Sequence, residues 1–214
     1  MIDQSHHPDD RVYSSDPDSF SDLAERGEAA TREIVSVLRE SERRMVDLEH
    51  RIQYLEQLVW TDVLTGLYNR RGLEEEVGRE ESRLRRYNLP AAVAVLQVEG
   101  LAAVRADHGS TSADALLRTV GMAVRMSARG TDIVARIGVD VFAALLPGAD
   151  LPGAGSFVDR IRADAQFARL PDGAIVPVHL STGTATWAEA GDLHSALELA
   201  DQRLNESRVR PDGG

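Results

Sequence analysis

The sequence predicts an α/β domain over residues 61–208, preceded by a long helix built to pair with a second copy of itself. Three observations lead there. From residue 72 onward, helix-period segments alternate with short apolar strand-like runs; residues 34–59 carry a heptad repeat instead; and a hydrophobic content of 43% with 28% charged residues suits one ordinary core plus an extension.

Residues 1–20 are rich in Pro, Ser, Asp and His and bury too little apolar surface to offset ordering entropy, so they read as a disordered acidic tail. His6 and His7 in that tail take no role. Residues 21–60 read as a helix. Leu38, Met45, Ile52 and Val59 share one heptad position, and Ile34, Ser41, Leu48 and Leu55 share the other. Arg44 and Arg51 then fall beside this seam with Glu49 and Glu56 across from them, the charge pattern of a parallel two-stranded coiled coil. The competing reading is one amphipathic helix lying on its own domain. Beyond it follow a charged helix (Gly72 to Tyr87), a buried strand (Ala91 to Val98), a helix (Ser112 to Met126) and a hairpin (Thr131 to Leu146). A helix near Gly155 to Phe167, a strand near Ile175 to Ala185 and a helix near Leu193 to Arg208 complete the order, and residues 209–214 read as a second disordered tail.

Several function classes fall away on composition. A net charge of -11 argues against bulk nucleic-acid binding, which needs a basic face. No apolar run approaches the roughly 18 residues that span a bilayer, and the acidic start lacks the regions of a signal peptide, so a cytoplasmic location without membrane partners is expected. With no cysteine, thiolate metal sites are excluded. Every basic residue other than histidine is arginine, so an anionic ligand would be met by guanidinium groups.

Four motifs carry a family resemblance. Asp62-Val-Leu-Thr-Gly-Leu-Tyr-Asn-Arg-Arg71 resembles the opening D-x-L-T-G-L-x-N-R-R of the GGDEF family, the bacterial diguanylate cyclases that condense two GTP into cyclic di-GMP. Gly138-Val-Asp140-Val-Phe142 resembles the signature turn, with Val139 and Val141 in place of its second glycine and its glutamate. Leu180 to Ala185 resembles the S-I-G-V-A strand, and Ala200-Asp-Gln-Arg-Leu204 the start of the last helix. The resemblance implies a central, mostly antiparallel sheet flanked by helices, similar to the adenylyl cyclase palm.

It also implies a damaged catalytic site. Cyclisation needs divalent ions clamped by carboxylates and a base near the attacking hydroxyl. Gln97 falls where the family places a metal-binding aspartate, Val141 where it places the acidic residue acting on the 3′-hydroxyl, Ala102 at a phosphate lysine and Arg105 at a guanine-binding asparagine. In the last helix Arg208 replaces a lysine and Asp212 an arginine. Gly138, Asp140 and the guanine-reading Asp114 persist. Glu99 lies about 7 Å further along the strand on the face of Gln97, where it could hold a metal with Asp140. No cofactor is expected, with Mg²⁺ only if this vestigial site still holds GTP.

A second site is complete. Arg129-Gly-Thr-Asp132 resembles the family's inhibitory R-x-x-D motif, which binds cyclic di-GMP, and Arg160 matches an additional arginine in the following helix. Guanidinium forks suit phosphates and the N7 and O6 edge of guanine, and a carboxylate accepts from guanine N1 and N2. The expectation is an inactive, dimeric cyclic di-GMP effector acting on a downstream protein; a ligand-free interaction module and a residual cyclase are the alternatives.

Overall fold

The computed structural model describes residues 17–209, and within the long first helix the side chains at 25–28, 31–49, 51 and from 59 onward. Residues 1–16 of the tail expected at 1–20, residues 210–214 of the tail expected at 209–214 (Asp212 among them), and the side chains of Ile52 and Leu55 therefore lie outside the described residues. No described helix is long and apolar enough to cross a membrane.

The chain forms two units, residues 1–53 and 54–214. The first is carried by α1, Pro17–Trp60, which begins four residues inside the span expected to be tail. Leu38, Met45 and Leu48 are exposed along it, as are Val35, Val37 and Val46 off the seam. Arg44 pairs with Glu40 and Arg51 with Asp47 one turn away on the same helix, so each forms an i,i+4 pair within its own chain.

In the second unit a four-stranded sheet runs in the order β2-β3-β1-β6, with every neighbouring pair antiparallel. Its strands are β1 (Ala91–Val98), β2 (Ile133–Arg136), β3 (Val141–Pro147) and β6 (Leu180–Thr186). Strand alternation sends Ala92, Ala94, Leu96, Phe142 and Ala144 to one face, where α4 (Ser110–Ser127) and α5 (Leu151–Asp164) cover them. Val93, Val95, Ala143 and Leu145 point to the other face, against α2 (Arg70–Tyr87) and α7 (Leu193–Val209). β1 is buried on both faces, which is why it reads as a continuous apolar run.

Gly183 in β6 fixes the approach of α7. A Cβ there would stand 2.0 Å from the Ala200 carbonyl oxygen and 2.5 Å from the Leu204 nitrogen, both backbone atoms. The glycine lets helix and strand touch main chain to main chain.

The order of elements matches the expectation, with local corrections. A short helix α3 (Leu101–His108) was not foreseen; it buries fully only Leu101 and offers little periodicity. α5 starts at Leu151 rather than Gly155, because Asp150 caps it by accepting from the Gly153 N–H and Pro152 is tolerated in the first turn. It ends at Asp164. Phe167 belongs instead to β4 (Phe167–Arg169), which pairs with β5 (Ile175–Pro177) as a separate hairpin. The single strand expected from Ile175 to Ala185 is thus two strands, interrupted at Pro177, whose nitrogen cannot donate to a ladder. A four-residue helix, α6 (Trp187–Ala190), follows β6.

Candidate functional site

The opening motif is a joint that anchors the signature hairpin. Asp62 accepts from the Thr65 N–H at 2.9 Å and its hydroxyl at 2.6 Å, while Gly66 takes the left-handed φ of 68° that the turn requires. Asn69 caps α2 through the Gly72 N–H and donates to the Val59 carbonyl at 3.0 Å. Arg136, at the end of β2, reaches back to Asp62 at 3.1 Å in a largely buried pair and donates to the Val139 carbonyl inside the turn. Arg70 donates to the Ile137 carbonyl at 3.2 Å. Two arginines on different elements thereby hold the G-V-D-V-F turn against the end of the sheet.

Within that turn Asp140 meets Gln97. The Gln97 amide Nε2 donates to Asp140 Oδ2 at 3.0 Å, a contact that is partly buried. A carboxylate only accepts, so it is the amide nitrogen of Gln97 and not its oxygen that faces Asp140. Glu99 does not join them: it accepts from the Ser181 hydroxyl at 2.7 Å and pairs with Arg208 Nε at 3.2 Å. Two sequence expectations thus land on one contact, since Glu99 and the phosphate-lysine position Arg208 neutralise each other. Val141 stands opposite Gln97 in the β1–β3 register and supplies no proton acceptor. Ala102 and Arg105 lie on α3 and Asp114 on α4, and Gly138 opens the turn. The donor set does not fit the two-cation arrangement that the resemblance implies, because divalent cations need several negative oxygen ligands and this pair offers one carboxylate already hydrogen-bonded. Among the described residues no group of three or more acidic or histidine side chains could hold a metal.

The three residues of the second site converge. Arg129, Asp132 and Arg160 line one cleft of about 140 Å³ with Asp150, Gly153 and Phe157. Asp132 Oδ2 accepts from the Arg129 backbone N–H at 2.8 Å, and the Asp132 N–H returns a bond to the Arg129 carbonyl at 3.0 Å, so the R-x-x-D turn is closed on itself. Arg160 donates to the Ser127 carbonyl at 3.1 Å and lies over the Phe157 ring, 5.8 Å from its centroid. These contacts fix the backbone and one guanidinium, whereas the Arg129 side chain has no carboxylate within ion-pair distance among the described residues. On the far side of Arg129 and Asp132 a larger cleft of about 490 Å³ is lined by Tyr68, Gly66 and Arg125. Sequence reading missed Phe157, Asp150 and Arg125 as neighbours. The Asp-Leu-Pro start of α5 was the available signal for Asp150.

Residues 59–212 match the sequence profile described as diguanylate cyclase, GGDEF domain. The chain belongs to the GGDEF family. It is 31% identical over 157 residues to the diguanylate cyclase DgcP of Pseudomonas aeruginosa, covering 71% of this chain and 23% of that protein. It is 30% identical over 151 residues to YhcK of Bacillus subtilis, an uncharacterised protein, covering 69% of this chain and 42% of the relative. The chain thus spans well under half the length of these curated relatives. Among solved structures, the isolated GGDEF domain of TpbB (YfiN) from P. aeruginosa matches with a TM-score of 0.67 and 31% identity, over 72% of this chain and 91% of that one. The coiled coil and GGDEF domain of DgcB from Caulobacter crescentus, solved with cyclic di-GMP, matches with a TM-score of 0.73 and 21% identity, over 82% of this chain and 94% of that one. At that identity the likeness establishes the shared fold. This GGDEF domain carries the family's antiparallel sheet flanked by helices, with a helix leading into it.

Proposed function

We propose that this GGDEF-family signalling protein, a relative of diguanylate cyclases, is a receptor for cyclic di-GMP that does not synthesise it. The observation that carries the reading is the meeting of Arg129, Asp132 and Arg160 in one cleft. The cleft is smaller than the roughly 300–1,000 Å³ usual for small-molecule sites, so a dinucleotide would lie across the Arg129–Asp132 ridge and use the larger cleft beside it. There Arg129 would fork onto phosphate or guanine, and the remaining oxygen of Asp132 would accept from guanine.

Support for inactivity comes from Gln97 and Val141. A hydrogen-bonded amide replaces one metal carboxylate and a valine replaces the acid/base group, whose loss alone typically costs about 10²–10⁴ in rate. The exposed Leu38, Met45 and Leu48 of α1 support assembly as a parallel dimer through the heptad seam, completed by Ile52, Leu55 and Val59. In this reading the dimer presents its ligand-bound surface to a downstream protein.

Calorimetric titration tests the reading. Cyclic di-GMP should bind with micromolar or better affinity, about -8 kcal/mol, and Arg129→Ala should weaken it by about 1.5–3 kcal/mol. The control is Arg86→Ala, at the end of α2 on the opposite face of the sheet, which should leave the titration unchanged. Arg125 is no neutral control, since it lines the neighbouring cleft. GTP with Mg²⁺ or Mn²⁺ should yield no cyclic di-GMP. No binding at tens of micromolar would favour the ligand-free module, and turnover abolished by Asp140→Ala would restore a cyclase.

A further inference from the structure

The outward face of α4 runs beside the second site and shares only Arg125 with the larger cleft there. Arg118, Met122, Arg125 and Met126 lie at spacings of four, three and one residues, so they form one stripe along the helix, about 12 Å long at 1.5 Å per residue. Met122 is 67% exposed and Met126 76%. Beside the stripe runs the loop of the opening motif: Thr65 abuts Gly121, Arg125 Nη1 points to the Gly66 carbonyl at 3.5 Å, and Val63 in that loop is 79% exposed. Three large apolar side chains on neighbouring segments are therefore left in water.

The charges on this stripe are equally unmatched. On α2, Arg79, Arg83 and Arg85 each face a glutamate on their own helix, Arg162 faces Asp159 on α5, and Arg136, Arg203 and Arg208 each pair with a carboxylate on another element. Among the described residues no carboxylate stands within ion-pair distance of Arg118 or Arg125. In a chain of net charge -11, α4 carries two arginines and one carboxylate, the half-buried Asp114 one turn before Arg118, so the ridge from Arg118 to Met126 is locally basic and apolar.

We propose that this stripe is a docking surface for an acidic amphipathic helix of a partner protein. A straight ridge of unbranched, adaptable methionines flanked by arginines accepts a helix that lays an apolar row along it and places carboxylates on either side. Arginine is suited to such contacts because its planar fork engages carboxylates in two bonds. An anionic membrane surface fits less well: the stripe lacks the aromatic anchors of interfacial helices, and the net negative charge of the chain is repelled. Its two tested positions are separate from the dinucleotide reading, as Arg118 and Met122 line neither cleft around Arg129.

The test uses the full chain without dinucleotide and two labelled synthetic helical peptides with the same leucine row, one flanked by glutamates and the other by lysines. Fluorescence anisotropy should show saturable binding of the glutamate peptide alone. Met122→Asp and Arg118→Glu should each weaken it at least about tenfold, with Arg86→Glu unchanged. All three substituted residues are exposed, and circular dichroism melts check that the variants fold. The absence of saturable binding, or an equal loss from Arg86→Glu, overturns the proposal. So does phosphatidylserine-vesicle binding that Met122→Asp abolishes, which would assign the stripe to a membrane. Self-association lost with the same substitution would assign it to a second copy of this chain and likewise overturn it.

Discussion

Substituting Gln97→Asp restores the carboxylate that the family resemblance places there, and its effect on stability can be worked from one contact. The native amide donates to Asp140 at 3.0 Å. Its removal forfeits a hydrogen bond to a charged group, worth about 1.5–3 kcal/mol, and sets two carboxylates roughly 5 Å apart, where repulsion at an effective dielectric of 20 is about 3 kcal/mol. Partial exposure and uptake of a proton by one member limit the sum, so a loss of about 2–4 kcal/mol at pH 7 is expected in EDTA. For a protein of this size that is about 5–15 °C in melting temperature. The sign with pH follows directly. Like-charge repulsion raises the folded-state pKa of the pair, so the penalty is full above that value and shrinks as the pH falls through it. Adding Mg²⁺ should then recover up to about 2.7 kcal/mol at a hundredfold excess over its dissociation constant, because the cation binds only the folded carboxylate pair. Thermal melts of both proteins with and without Mg²⁺ decide it. If the variant melts with the native chain in EDTA, or if Mg²⁺ stabilises the native chain equally, the Gln97–Asp140 contact is not what occupies the metal position.

Three further outcomes are expected. Gly183→Ala should be severely destabilising, beyond about 3 kcal/mol by urea denaturation, because its Cβ would meet the α7 backbone rather than a yielding side chain. Light scattering should show the full chain as a dimer and a chain starting at Tyr54 as a monomer; that boundary retains the Asn69 contact to Val59, and a dimeric shortened form would show that the heptads do not hold the chains together. Glu189 is held at a pKa of about 2, down from the usual 4.5, by hydrogen bonds first from Arg203 and then from the Thr186 backbone and hydroxyl. Its contribution is complete above about pH 4.5 and is lost as the pH falls toward 2, so Glu189→Gln should flatten the acid limb of the stability profile in that window and leave its alkaline side unchanged in shape.

How far the sequence could be read depended on the kind of force involved. β1 was legible to the residue because a strand buried on both faces must be apolar throughout. The long helices were legible because their faces are periodic. α3 and the β4–β5 hairpin were not, since one fully buried side chain on an eight-residue helix and three-residue strands leave no pattern to find. At the sites, the family resemblance pointed to Arg129, Asp132 and Arg160, and the fold brings all three to one cleft. Spacing could not say which carboxylate would meet which partner. Glu99 and Gln97 share a face of β1, yet Glu99 turns to Ser181 and Arg208 while Gln97 takes Asp140. That choice rests on the position of α7, which no local pattern encodes.

The β2 strand joins the two sites, and its ends are supported independently. At its start the R-x-x-D turn closes through the Asp132 carboxylate on the Arg129 N–H and the Asp132 N–H on the Arg129 carbonyl. At its end Arg136 binds Asp62 and the Val139 carbonyl, and Arg70 binds the Ile137 carbonyl. None of these bonds uses a side chain at positions 139 or 141. Val139 enters them only through its backbone, so valines in the signature turn leave the turn's anchorage intact. Two signature side chains still bear on the fold: Phe142 is buried in the core, and Asp140 bonds to Gln97 without needing a cation. The acidic chemistry of the signature hairpin can therefore be removed without moving the strand that positions Arg129 and Asp132. The ligand site proposed at the start of β2 is therefore compatible with valines in the signature turn at its end.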